Sequence, residues 1–359
     1  MMLRVGLFAG AFASLYAQCP DRAQLSLVEG SVAPSKADAA AELLVRLQGS
    51  YPDCHEILLL LGRVRAAQGR PDLGRGLLIR YTQLEPRDLR GFMTLAEFLT
   101  RQGEYSQAAA ALRTALEIDP DSVAALLAAG VILARQGREH DAEVERDLKR
   151  ACRLEPGNPK AHFQSGVFLD NRGRYAEAVA AFQKVVSLDT NNPTAWRYLG
   201  MEYELEGEPA KAEAAFRHGM AVNRSPRFDP LLPYHYGRLL LLLGRLAESK
   251  VQLDRAVELL PEYGAVFYQR AKLNLEMAKY ADARNDAEHV LAIPEPRRFT
   301  DDSQIYYLLT SIYQRLGERE QAQKSAAKAR AAQLELEQSR KASNLARIAS
   351  NPAASERLR

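Results

Sequence analysis

LRGFMTLAEFLTRQGEYSQAAAALRTALEIDP, residues 89–120, decides the fold. Its apolar positions recur at three- and four-residue spacing, first in Leu95, Ala96 and Leu99 and again in Ala108, Leu112 and Ala115. Gly103 separates the two runs, where a helix C-terminus needs a residue able to adopt φ > 0. Pro120 closes the stretch and cannot continue a helix. The segment therefore reads as two amphipathic helices joined by a glycine turn. The same punctuation stands 34 residues upstream, where Leu84-Glu85-Pro86 matches Ile118-Asp119-Pro120.

Frames of 34 extend the pattern in both directions. The frame from Pro159 places Gly166, Leu169, Gly173, Tyr175, Ala178, Phe182 and Val185 in register, and the frame from Pro193 places Trp196, Leu199, Gly200, Tyr203, Gly207, Ala212 and Phe216. Weaker frames begin at His55, Val123, Pro230, Gly264 and Ser303. The predicted units are 55–88, 89–122, 123–158, 159–192, 193–229, 230–263, 264–302 and 303–336, preceded by a degenerate unit at 18–54 that keeps Ala40, Leu44, Leu47 and Pro52. Small residues at repeat positions 8 and 20 let the paired helices approach, and large ones at 4, 11 and 24 fill the space between them. One such pair cannot cover its own apolar faces, so stability comes from neighbours stacked on neighbours. The expectation is an all-α, right-handed superhelical solenoid of about eight to nine helix-turn-helix units.

Departures from the period carry their own expectations. Two extra residues between Gly137 and Pro156 predict a longer or offset helix around His140 to Leu154. About three extra residues after Val222 and several after Ile293 read as tolerated loops, each with an Arg-Phe pair ending at Phe228 or Phe299. The stretch 334–349 reads as a separate capping helix whose Leu334, Leu336, Leu345 and Ile348 cover the last repeat, followed by a disordered tail at 350–359.

The register resembles that of the tetratricopeptide repeat. That resemblance implies a concave wall made by the first helix of each unit, with positions 2, 5, 9, 12 and 13 facing the groove and position 6 beside them. The groove residues it implies are Phe163, Asn171, Arg197, Tyr198, Met201, Tyr234, His235, Arg238, Tyr268, Lys272, Tyr307 and Gln314. Position 5 is aromatic in Phe163, Tyr234, Tyr268 and Tyr307, with Arg197 between them. Tyrosine and arginine dominate many binding surfaces. An aromatic ladder flanked by cations suits an extended protein or peptide segment, acidic or ending in a carboxylate. Relatives that clamp a chaperone's C-terminal carboxylate resemble one another in a Lys at position 5 and an Asn at position 9. No unit here has that pair. The competing expectation is a structural scaffold of an envelope or polysaccharide assembly, acting through its convex face or loops.

Composition agrees with an interaction protein. The net charge of +3 argues against nucleic acid as a partner. At the N-terminus Arg4 precedes the short apolar run Val5 to Tyr16, and Ala17 offers a small residue before Gln18. That is the layout of a bacterial-type signal peptide at 1–17, and it predicts export to the periplasm or secretion. Export leaves open a bridge between Cys19 and Cys54 that would staple the degenerate first unit, while Cys152 reads as a buried packing residue. The six histidines show no metal-ligand spacing, and phosphate loops and nucleophile elbows are missing. The acidic pair Glu202 and Glu204 reads as a solvated helix surface. An enzyme is not expected, nor is any cofactor or metal.

Overall fold

The computed structural model describes residues 19–21, 25, 26, 28, 36–224, 228–294 and 300–349, with side chains to residue 342. The expected leader at 1–17, the tail at 350–359, Phe299, and the side chains of Leu345 and Ile348 lie outside the described residues. Among the described residues there are seventeen α-helices and no β-strand.

The chain divides at Phe168 and Leu169 into two compact units. Unit 1 holds α1 (Ala37–Ser50), α2 (Glu56–Ala67), α3 (Pro71–Leu84), α4 (Leu89–Arg101), α5 (Tyr105–Ile118), α6 (Val123–Gln136), α7 (Asp141–Leu154) and most of α8 (Pro159–Asp170). Unit 2 holds the end of α8, then α9 (Tyr175–Leu188), α10 (Pro193–Leu205), α11 (Pro209–Val222), α12 (Leu232–Leu242), α13 (Leu246–Leu259), α14 (Gly264–Glu276), α15 (Tyr280–Ala292), α16 (Asp302–Leu316) and α17 (Arg319–Ala349). In unit 1 the pairs α2–α3, α4–α5 and α6–α7 pack tightly, and α3–α4 and α5–α6 join one pair to the next. Unit 2 repeats the scheme with α10–α11, α12–α13, α14–α15 and α16–α17. Each unit is an all-α repeat solenoid.

The register explains the packing. At position 24, Leu78, Leu112, Phe182, Phe216 and Leu253 are 1% exposed or less. At position 20, Ala108, Ala178, Ala212 and Ala283 are fully buried. Position 8 must be small because the partner helix crosses there: a Cβ on Gly200 would stand 2.7 Å from the Phe216 ring. The turns between units do more than stop a helix. Asp88, Ser122, Asn192 and Asp301 stand just before α4, α6, α10 and α16, and each accepts a backbone N–H of the first turn with its side chain.

Gly69, Gly103, Gly173, Gly207, Gly244 and Gly317 turn between paired helices with φ between 72° and 78°. In the unit from Gly264 the same place is taken by Ala278 at φ 57°, the one non-glycine residue with positive φ among those described. It occupies a conformation that a Cβ disfavours.

Several expectations need correcting. Of the two alternatives for the extra residues after Gly137, the offset helix is the one found and the longer helix is not: a short 3₁₀ turn, Arg138–His140, absorbs them and α7 starts at Asp141 with the usual 14 residues. The C-terminal stretch is not a separate cap. It continues the second helix of the last unit as one 31-residue helix, because nothing between Arg319 and Ala349 is Gly or Pro. Leu334 is 56% exposed and covers no core. Cys152 is half-buried rather than interior, though burial still pushes its thiol pKa up.

Cys19 and Cys54 form a disulfide with Cα atoms 5.0 Å apart. It anchors the start of the described chain to the turn before α2. There Leu25 and Val28 share a core with Cys54, Leu44, Ile57 and Leu60.

Candidate functional site

The first helices of successive units lie side by side within unit 2, where α10 touches α12, α12 touches α14 and α14 touches α16. Together they carry most of the expected groove residues. The structure sorts those residues into an interior group and an accessible group.

The interior group is a correction to the sequence reading. Arg197 is 7% exposed, and its Nε donates to Asp229 Oδ2 at 2.8 Å. Its guanidinium also lies 4.5 Å from the Tyr198 ring centre and reaches Met201 Sδ at 3.3 Å. Asp229 comes from the extra residues after Val222, so that insertion is no idle loop. Its backbone is held by the Asn223 side chain at 2.6 Å and 2.9 Å, and its second carboxylate oxygen accepts the N–H of Leu231 at 2.9 Å. The inserted aspartate thus neutralises a buried arginine and braces the entry to α12. Tyr234 is also buried, edge-on to His235 at 4.8 Å and to Tyr263 at 5.9 Å. His235 has a buried Nδ1 without a hydrogen-bond partner. Burial first, then the charges of Arg197 and Arg238, hold its pKa well below the usual value, so it stays neutral. Arg197 and Tyr234 are thus packed in the interior, and His235 is half-buried beside them.

A second correction concerns the acidic residues of α10. Glu202 is fully buried and neither carboxylate oxygen has a hydrogen bond of ordinary geometry. It sits against Asp170, and burial followed by the Asp170 charge pushes its pKa up to about 8. Asp170 is shifted upward too, mainly by burial, with Arg197 pulling the other way. Burial and the neighbouring acid thus both favour the protonated form of Glu202. Glu204 is half-buried and bonded to Arg238 Nη2 at 3.0 Å, with burial raising its pKa against that pull. Sequence alone gave no signal for Glu202, whose residue type usually marks a wet surface.

The accessible group lies further along. Between α12, α14 and α16 a groove of about 610 Å³ is lined by Glu204, Arg238, Leu241, Leu242, Gln269, Lys272, Leu275, Glu276 and Leu308. Leu242 is 71% exposed, the most exposed large apolar side chain among the described residues. Tyr268 is half-buried, with the Lys272 ammonium 5.9 Å from its ring centre. Tyr307 is 45% exposed and its hydroxyl donates to Gln333 Oε1 at 2.9 Å. Lys272 and Gln314 are exposed. Tyr198 stacks on Phe182 at 5.0 Å, Met201 is half-buried, and Asn171 is exposed at the start of unit 2. Phe163 is half-buried and belongs to unit 1. The exposed leucine was missed from sequence; its repeat position, 13, was its only signal.

Among the described residues no group of three or more His, Cys, Asp or Glu side chains is placed to hold a metal ion. No described helix is long and apolar enough to cross a membrane.

Known proteins show the same architecture. Residues 34–86 match the family described as "Tetratricopeptide repeat", and residues 78–223 match the "Cilia and flagella-associated protein 70 middle TPR-like domain". The anaphase-promoting complex subunit 3 of Schizosaccharomyces pombe is 24% identical over 246 residues, which cover 62% of this chain and 36% of that protein. The cytochrome c-type biogenesis protein CycH of Rhizobium meliloti is 32% identical over 103 residues, 28% of this chain and 27% of CycH. The chain spans between 13% and 36% of the length of the curated relatives it matches. Among solved structures, a tetratricopeptide repeat protein from Parabacteroides merdae superimposes with a TM-score of 0.56 at 16% identity, covering 72% of this chain and 98% of that one. With the register, the helix pairs and the glycine turns, these matches make the chain a tetratricopeptide repeat protein.

Proposed function

We propose that this protein is an exported interaction module that holds an extended segment of a partner protein along the inner wall of unit 2. The observation that carries the reading is the groove of about 610 Å³, whose leucine floor includes Leu242 at 71% exposure and whose rim carries Arg238, Gln269 and Lys272. An exposed apolar side chain beside polar groups with spare donors is what peptide capture requires. Tyr268 and Tyr307 extend that surface along the wall. This reading leans on fewer residues than the full ladder, since Arg197 and Tyr234 are buried and His235 is half-buried with a neutral ring.

The Cys19–Cys54 bridge supports the export half of the reading, because disulfides persist in oxidising compartments. Work as a scaffold through the convex side has Val251, 64% exposed on α13, as its strongest feature.

The test replaces Gln269, Lys272 and Tyr307 together by alanine and compares crosslinked partners recovered from native envelopes. All three lie outside the core, so thermal stability should hold. Loss of a specific partner at unchanged melting temperature is the expected result. An unchanged set of partners contradicts the groove reading.

A further inference from the structure

The two units present walls of different chemistry. Over positions 2, 5, 9, 12 and 13, unit 1 supplies Arg63, Arg90, Arg101, Arg135 and Lys160 against only Glu56 and Glu97. The acids are already engaged: Glu56 is bonded to Arg90 at 2.8 Å and Glu97 to Arg101 at 2.5 Å. Arg63, Arg135 and Lys160 are exposed and make no ion pair. The corresponding wall of unit 2 has leucine at Leu205, Leu241, Leu242 and Leu275, and pairs Arg197 and Arg238 with acids of its own.

Geometry gives the basic wall a focus. α2 and α4 touch directly, and between them lies a pocket of about 210 Å³. Ala66, Ala67, Leu78 and Phe98 form its apolar floor, and Arg63, Thr94, Arg101 and the Arg101-bonded Glu97 complete the lining. Arg63 and Arg101 come from position 9 of one unit and position 13 of the next. The pocket has the size of one aliphatic side chain with its neighbouring backbone. Arg101 is shared with Glu97, while Arg63 has no acid and keeps its forked donors for whatever enters.

We propose that unit 1 carries a second binding surface, distinct from the unit 2 groove, that takes an extended acidic protein segment by seating an aliphatic side chain between α2 and α4 and the flanking carboxylates on Arg63 and Arg101. The carboxylates are those of Asp or Glu side chains within the segment. The Lys and Asn pair with which relatives clamp a terminal carboxylate is missing here. The charge balance selects the sign of the ligand, and the apolar floor selects an apolar side chain between its carboxylates.

The probe is a fluorescein-labelled, C-terminally amidated peptide of repeating Asp-Leu-Glu, titrated against the full chain by fluorescence anisotropy. A Lys-Leu-Lys counterpart and a free-acid version of the same peptide run in parallel. Saturable binding of the amidated acidic peptide is expected, with no binding of the basic one. Arg63→Glu should weaken it at least 10-fold, Lys272→Glu less than 2-fold, and a rise from 50 to 300 mM salt should weaken it several-fold. Arg63 is exposed, so circular dichroism should show an unaltered fold. Equal binding of both charge types, no binding up to about 1 mM, or indifference to Arg63→Glu overturns the proposal. Binding that needs the free terminal carboxylate overturns the source assigned here. Sensitivity to Lys272→Glu alone places the peptide in the unit 2 groove, which overturns this surface while leaving the unit 2 reading intact.

Discussion

Replacing Glu202 by glutamine should make unit 2 more stable, and only above mildly acidic pH. The carboxyl is fully buried against Asp170 with no hydrogen bond of ordinary geometry, and its pKa rises from 4.5 to about 8. The folded state therefore holds a proton that the unfolded chain releases above pH 4.5. Between about pH 4.5 and 8 the native state binds more protons than the unfolded state, so stability falls as pH rises and levels off above 8. At ~1.4 kcal/mol per pH unit the upper bound on that loss is roughly 5 kcal/mol. Asp170 beside it is shifted in the same direction and shares in the effect, so roughly 2–3 kcal/mol is expected for Glu202 alone. Glutamine keeps the shape and carries no charge to bury. Urea unfolding followed by far-ultraviolet circular dichroism at pH 5, 7 and 9 should show wild type and Glu202→Gln converging near pH 5 and separating by about 2 kcal/mol at pH 9. Parallel pH curves for the two proteins, or a variant weaker at every pH, would refute the reasoning.

Other consequences follow from the same structure. Ala278→Gly should raise stability by about 0.5–1 kcal/mol, because relief of the φ 57° strain exceeds the added flexibility of the unfolded chain; a lower melting temperature would contradict this. Cys19→Ser, at an exposed position, should cost the first repeat up to about 3–4 kcal/mol for a bridge spanning 35 residues, read as faster hydrogen exchange in α1 and α2 with unit 2 unchanged. Asp229→Ala should destabilise unit 2 by about 3–5 kcal/mol, since it strands a buried guanidinium. Arg197→Met paired with Asp229→Asn should recover most of that in a double-mutant cycle.

The fold was legible to the level of single helices, because proline, glycine and alanine perform steric jobs that tolerate few alternatives. Pro120 and Gly103 set the ends of α5 and α4, and the position-24 residues Leu112, Phe182 and Phe216 are fully buried as their register requires. The site was legible only in part. Arg197 occupies a groove position, yet the residues inserted after Val222 bring Asp229 to meet it, and period alone does not say which side chain an insertion delivers. Glu202 gave no sign of its burial because a carboxylate ordinarily marks a solvated face, and the period alone does not say that Asp170 stands beside it. The last helix ran on past its expected end because a cap was sought where the sequence contains no breaker.

The account turns on whether the inner wall of unit 2 holds the partner. A photo-crosslinking amino acid placed at residue 272, with a second protein labelled at residue 251 on α13, measures this directly in intact cells of the native host. Crosslinking of a discrete partner from position 272 and not from 251 is the predicted result. A partner captured only from 251, or equally from both, would contradict it.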